Sequence, residues 1–391
     1  MVEKKRIILL SILALAVFSA GCFYFIFIKH EKEKTETVEF LSLETPQQVT
    51  VPKEKEKKIV PDPSMETIKK KGCVADGVLF GYKGDSDRAL KVINRSECQY
   101  LHRAVETWLK PPDFEEVADN MEKIENKNMS FGMFIAEAIS TKEDYYYPAE
   151  GREFKFSEMC RSGSRNFWGE HTCKPSFKKE EYRKYLRHIT ENAIDEGIRV
   201  FLFGQIYYQE NNDISNPIVP EIIGEMREYA AFQGVSILIG AQTNDITDEK
   251  YLRLFDFIEG GVGLHSDGTI ENGSCFSRWW NKPGDWCWAL LWHPDFSSKA
   301  NNILLHLDWS GRRGDDMSTF ALMEDDLRQE TLQNLHAFFT SQNKGFLMPM
   351  VAVLPRDNGG CHGKQKRYYI PDEKYSCDDE DVINSILKKG K

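Results

Sequence analysis

The sequence predicts an α/β body, a single (β/α)8 TIM-type barrel over residues 69–391, preceded by a transmembrane helix and a disordered tether. Three observations predict the barrel. Short apolar runs alternate with amphipathic stretches from Gly72 onward, the pattern of a parallel sheet with crossover helices. The helical stretches open near proline and stop at glycine. No Gly-rich dinucleotide loop follows the first strand, which weighs against an open doubly wound sheet.

The strands expected are Tyr100–Trp108, Ser130–Ala138, Val200–Tyr208, Val235–Asn244, Phe255–Gly260, Trp288–His293, Ile303–Trp309 and Phe346–Val353. The helices expected are Asp113–Lys127 after Pro111-Pro112, Lys178–Gly197, Pro217–Phe232 before Gly234, and Asp325–Ser341 before Gly345. Between Gly260 and Trp288 lies a long Gly-, Ser- and Trp-containing stretch with no clear helix.

The N-terminus is of another kind. After a charged segment at 1–6, residues Ile7 to Ile28 carry no charge. A helix of that length is roughly 33 Å long, enough to cross a bilayer core. A cleaved signal peptide has a shorter apolar stretch, so an uncleaved signal-anchor is the first reading. Ser19-Ala20-Gly21-Cys22 also looks like a lipobox, with Cys22 as lipid attachment site. Residues 29–68 are rich in Glu, Lys, Thr and Pro, too polar to offset their ordering entropy. They read as a tether.

Lysines flank the apolar run on both sides, so charge leaves orientation open. The nine cysteines decide it. Beyond Cys22 they fall into close pairs: Cys73–Cys98, Cys160–Cys173, Cys275–Cys287 and Cys361–Cys377. Eight cysteines allow 105 connectivities, but each near pair brackets a loop-like stretch, and no zinc-type Cys-x-x-Cys occurs. An even set outside the span points to an oxidising compartment, hence an extracytoplasmic body held to a membrane by its N-terminus. A net charge of −10 weighs against a nucleic-acid partner. The sequence does not fix an oligomeric state, and no motif asks for a cofactor.

In such barrels the chemistry sits at the C-terminal strand ends. There the sequence places Glu106, Glu137, Glu259 and Asp308, with Gln205, Tyr207, Gln242, Asn244, His293 and Trp309 among them. Alternation along Ile303–Trp309 turns His306 and Asp308 inward, with Leu305, Leu307 and Trp309 toward the helices. The same rule groups Glu137 with Met133 and Ile135. It also leaves His102 and Glu106 inward only if Arg103 faces the helices. Single carboxylates at strand ends often cap helices, but four with interleaved amides and aromatics suit acid/base catalysis on sugars. Five of the eight tryptophans lie between 279 and 292, and Trp279 and Trp280 are candidate platforms for a sugar ring. His102, His293 and His306 with Asp308 could gather on a metal, but histidines on separate strands read first as core residues, so no metal is assigned.

From Cys98 to Pro355 this arrangement resembles the barrel glycoside hydrolases and their relatives. The resemblance implies a carbohydrate ligand and catalysis by Glu137, Glu259 and Asp308, supported by Glu106. The best-known pattern closes strand four with Asn-Glu and strand seven with Glu; here the ends read Asn244-Asp245 and Asp308-Trp309. A non-catalytic barrel that binds a glycan or a protein at the cell surface is the alternative.

Overall fold

The computed structural model describes residues 60–389 apart from 82–85, 210–216, 243–247, 271–296, 310–313, 355–359, 362–367 and 374–376. The expected span 7–28 with Cys22, and the tether as far as residue 59, lie outside these residues. Among the described residues no helix is long and apolar enough to cross a membrane.

Parallel strands follow one another in chain order: β1 Gly72–Ala75, β2 Tyr100–Glu106, β3 Ser130–Ile135, β4 Val200–Phe203, β5 Leu238–Ala241, β6 Phe257–Gly261 and β7 Ile303–His306. Gly345–Phe346 and Met348–Val353 are two halves of one run, β8. Its first half pairs with β7 and its second half with β1, both in parallel. The curled sheet therefore returns to its first strand. Tyr368–Tyr369 adds a short antiparallel edge to β8. The strands of this sheet are mostly apolar and nearly all of their residues are buried, as a sheet covered on both faces requires; the buried polar exceptions on β2, β6 and β7 are His102, Arg103, Glu106, Glu259 and His306.

The set of strands differs from the one expected. β1 precedes the strand read as first. At four residues, Gly-Cys-Val-Ala, it is too short to register as an apolar run. Trp288–His293 lies outside the described residues. Val200–Tyr208 is strand only to Phe203, and a helical turn, Ile206–Gln209, follows.

Two apolar layers lie on the two faces of the sheet. Val74, Tyr100, Phe134, Val200, Leu202, Phe257, Leu304 and Leu347 fill the interior. Residues such as Met133, Ile135, Phe201, Ile239 and Leu305 face the helices. The helix α1, Met65–Lys71, adds Ile68 to the interior cluster. It leads straight into β1, and a Cβ on Gly345, which opens β8, would meet Lys69. This places α1 at the N-terminal ends of the strands. Its first residues were expected to belong to the tether; Met65 and Ile68 instead pack on the interior, and Asp62 accepts the Ser236 N–H at 3.0 Å.

Ahead of β2 stands α2, Ser86–Arg95, which was not among the helices expected. The four expected from proline and glycine signals form, α3 Phe114–Glu122, α4 Glu180–Glu196 and α5 Ile218–Phe232 with trimmed ends and, beyond β7, α6 Asp325–Ser341 with the expected bounds. Asp113 caps α3 through the N–H groups of Glu115 and Glu116. Gly197 closes α4 at φ 101°, a left-handed conformation suited to glycine.

Three expected disulfides are present: Cys73–Cys98, Cys160–Cys173 and Cys361–Cys377. Cys275–Cys287 lies outside the described residues. The last bridge ties down a C-terminal segment that is also held by a buried ion pair. Arg328 on α6 donates to Asp379 at 2.9 Å and to the Met323 carbonyl at 2.9 Å, and the Tyr369 hydroxyl donates to Asp379 at 2.8 Å. Both charged side chains are fully buried. Arg328→Met strands the Asp379 carboxyl without its cation, so a loss of about 3–5 kcal/mol is expected in denaturant unfolding. A loss below about 1 kcal/mol would show that Arg328 does not anchor this segment.

Candidate active site

The site is built on an irregularity in β2. Leu101 pairs with Phe131 and Val105 with Met133, so β2 uses four residues where β3 uses two. The bulge is centred on Arg103, whose φ is +55°. A bulky residue in that conformation costs roughly 1–3 kcal/mol and marks a place that the surroundings over-determine. The bulge also corrects the alternation expected on this strand. His102, Arg103 and Glu106 all join the interior, because the extra residues reset which side chain faces in.

Arg103 is the hub. Its Nε donates to Glu106 Oε1 at 2.7 Å and lies 3.3 Å from Asp76 Oδ1, just beyond β1. Its guanidinium is 4.2 Å from the Phe134 ring centroid and 5.6 Å from that of Trp309. The Trp309 indole N–H donates to Asp76. Trp309, expected to face the helices, packs against the helix-side cluster, and its indole N–H turns to Asp76 beyond the end of β7 at His306. Two carboxyls thus share one cation. Burial, opposed by Arg103 and reinforced by the Asp76 charge, pushes Glu106 up to about 8, and burial raises Asp76.

Glu137 lies beyond the end of β3 and is buried. Met133 and Ile135 face the helices, contrary to the alternation expected, and Phe134 and Ala136 face in. Being off the strand, Glu137 is not bound by that rule. A Cβ on Gly204, after β4, would collide with the Glu137 carboxyl and the Phe134 ring, so glycine there makes the room. Among the described residues Glu137 Oε2 has no hydrogen-bond partner. Burial raises its pKa, while Arg103 and Lys174 pull toward the ionised form.

Asp308 follows β7. Its backbone N–H is 3.3 Å from Asp316, whose carboxyl also takes the N–H groups of Val262 and Leu264 at 2.8 and 2.7 Å. Asp316 is therefore a clamp between the ends of β6 and β7, satisfied by backbone donors. The Asp308 side chain has no such partners among the described residues. Burial pushes it up to about 7 against the pull of His306, with Asp316 and Glu259 adding to the rise.

Below this ring lies a closed layer. Glu259, expected at a strand end, sits within β6 and is fully buried. His306 Nε2 contacts its carboxyl and His102 Nε2 is 3.5 Å away. The Tyr100 hydroxyl and His102 Nδ1 share a hydrogen bond of 2.8 Å. Burial favours neutral Glu259, but the two histidines outweigh it and hold the carboxyl well below its usual range. Burial disfavours charge on His306, yet Glu259 lifts it to about 9. Burial takes His102 down to about 4. His306 points inward as alternation expected.

Of the other expected residues, Gln205 is half-buried after β4 and Gln242 is buried after β5. The backbones of these two turns are linked, the Gln242 N–H to Phe203 O at 2.8 Å and the Ile206 N–H to Gln242 O at 3.2 Å. Asn244, His293, Trp279, Trp280 and the Tyr207 side chain lie outside the described residues. Asp76, Arg103 and Lys174 were missed. The short β1 hid Asp76, and only the bulge brings Arg103 inside.

No family model matches the chain, and no curated protein matches it. Among solved structures, it is similar to a β-L-arabinopyranosidase from Geobacillus stearothermophilus (11% identity over 50% of this chain and 54% of that one, TM-score 0.32). It is also similar to a trehalose-6-phosphate hydrolase from Bacillus licheniformis (11%, 72% and 64%, 0.43). A third is a maltogenic α-amylase from Thermotoga neapolitana (10%, 82% and 77%, 0.46). The chain spans about half to two thirds of the length of the first two. All three are glycoside hydrolases.

Proposed function

We propose that this body is a (β/α)8-barrel enzyme that cleaves glycosidic bonds, with Asp308 as proton donor and Glu137 as the ionised partner. The observation that carries the reading is a division of labour among carboxyls that are buried or, for Asp308, half-buried. Asp76 and Glu106 share Arg103, Glu259 is held by two histidines, and Asp316 is filled by backbone donors. Glu137 and Asp308 alone in this set stand at strand ends without a bound cation or donor set among the described residues. Asp308, pushed up to about 7, suits protonation of the leaving oxygen. Glu137, favoured as an anion by Arg103 and Lys174, suits attack on the anomeric carbon or activation of water. Arg103, held by two carboxyls and two aromatic faces, would orient sugar hydroxyls. Glu259, expected as a catalytic group, is better read as the counter-ion that keeps His306 charged beneath Asp308.

The site at Glu137 and Asp308 would act outside the cytoplasm, on a polysaccharide of the cell envelope or beyond it. The apolar run at 7–28, the charged tether and the paired cysteines support that placement. The second reading, a glycan-binding barrel without catalysis, is favoured by the pairing of Glu106 and Asp76 with Arg103.

The pH dependence separates the two. If Asp308 must be protonated to donate, kcat falls about tenfold per pH unit above roughly 7. In Asp308→Glu any retained activity should show its alkaline limb displaced. A rate that stays level through pH 9 would remove Asp308 from the role of acid.

A further inference from the structure

The loop closed by Cys160–Cys173 carries chemistry that the catalytic reading does not use. From Cys160 to Lys174 the cations Arg161, Arg165 and Lys174 face one acid, Glu170, in a chain of net charge −10. Phe167 is 60% exposed at its tip. A phenyl ring in water on a mobile loop would be unremarked, but this loop is fastened. Besides the disulfide, the Asn166 N–H donates to Thr172 O at 2.6 Å, the Trp168 N–H to Thr172 Oγ1 at 3.0 Å, and the Lys174 N–H to Ser164 Oγ at 3.1 Å.

An aromatic series runs inward from the tip. Phe167 and Trp168 are 4.8 Å apart and Trp168 and Trp108 5.3 Å apart, both crossed at 72°. Trp108 follows β2 and packs on the interior cluster. Crossed rings do not stack face to face, so they do not cover one another as a parallel stack would. The Lys174 ammonium sits 4.2 Å from the Phe167 centroid and 5.4 Å from that of Trp168. At the inner end, the residues on either side of Trp108 hold the turn that carries Glu137: Thr107 Oγ1 accepts the Ala136 N–H at 2.9 Å and the Leu109 N–H donates to the Ala138 carbonyl at 3.4 Å.

We infer that this ledge is a subsite for an acidic sugar, a uronate residue of a polysaccharide, with its ring against Phe167 and its carboxylate toward Lys174 and Arg165. Flat apolar faces take the C–H side of a pyranose, and the local positive charge on an acidic protein selects a carboxylated unit over a neutral one. The inference extends the proposed hydrolase site outward and rests on that reading for its place in the cleft.

The test is affinity electrophoresis of the purified full chain in gels containing polygalacturonate or neutral dextran. Polygalacturonate should retard the protein and dextran should not. Phe167→Ala should weaken the retardation about tenfold, and Arg165→Gln should weaken it and reduce its dependence on salt. Equal retardation of the wild type and Phe167→Ala, equal retardation by dextran, or no retardation at all would overturn the subsite. Uronate binding without cleavage of any glycan would retain the subsite and reject the hydrolase. Cleavage of neutral glycans without uronate binding would do the reverse.

Discussion

Asp308→Asn and Glu137→Gln should each lower kcat by about 10²–10⁴-fold on any glycan that the wild type cleaves. Both substitutions keep the size of the side chain and remove its titration. Asp308→Asn cannot donate the proton that the leaving oxygen needs. Glu137→Gln loses the charge that Arg103 and Lys174 favour. Among the described residues neither carries a cation whose loss would unfold the barrel, so circular dichroism and Tm should stay close to the wild type. Glu106→Gln offers the contrast. It leaves Arg103 with Asp76, and a milder loss through misplaced substrate is expected. A rate loss for Glu106→Gln alone, with Glu137→Gln and Asp308→Asn fully active, would move the chemistry to the Arg103 cluster.

The second large effect concerns stability. Glu259→Gln leaves His306 in the barrel interior without its counter-ion, and removing one partner of a buried pair costs about 3–5 kcal/mol. For a body of this size that is a fall in Tm of roughly 4–8 °C. The sign of the pH dependence follows from the shifts. His306 is raised to about 9, so the stability it gains from Glu259 is complete below its ordinary pKa, about 6.5, and is lost as pH rises through about 9. Glu259 is depressed, so its share is present above the usual carboxylate pKa and is lost as pH falls through the lowered value. The wild type should therefore lose stability on the alkaline side between about pH 6.5 and 9. Glu259→Gln should lack that limb. Parallel Tm curves for the two proteins across this range would show that the pair is not ionised in the fold.

Much of the scaffold was legible in the sequence because it rests on local rules. α4 and α5 follow from their glycine and proline boundaries, and three disulfides follow from near spacing. Strand alternation turned His306 inward correctly. It failed wherever the chain leaves regular geometry. Arg103 sits in a left-handed bulge, Glu137 lies past the end of its strand, and β1 is too short to show a pattern. Those departures are where the site was assembled, which is why its hub and the partner carboxyl Asp76 escaped sequence reading. Glu259 was found but misplaced: its position within β6, rather than at the end, puts it under the site. Its histidine partners come from β2 and β7, and only the closing of the sheet brings them together.

As proposed above, Glu137 and Asp308 together would break a glycosidic bond. The direct measurement is release of new reducing ends from a panel of neutral and acidic polysaccharides by the wild type and by the Glu137→Gln/Asp308→Asn double variant. Release by the wild type from at least one polysaccharide is expected, and none above background from the double variant, which should still bind that polymer. Binding by both proteins with release by neither would contradict it and leave a glycan-binding barrel in its place.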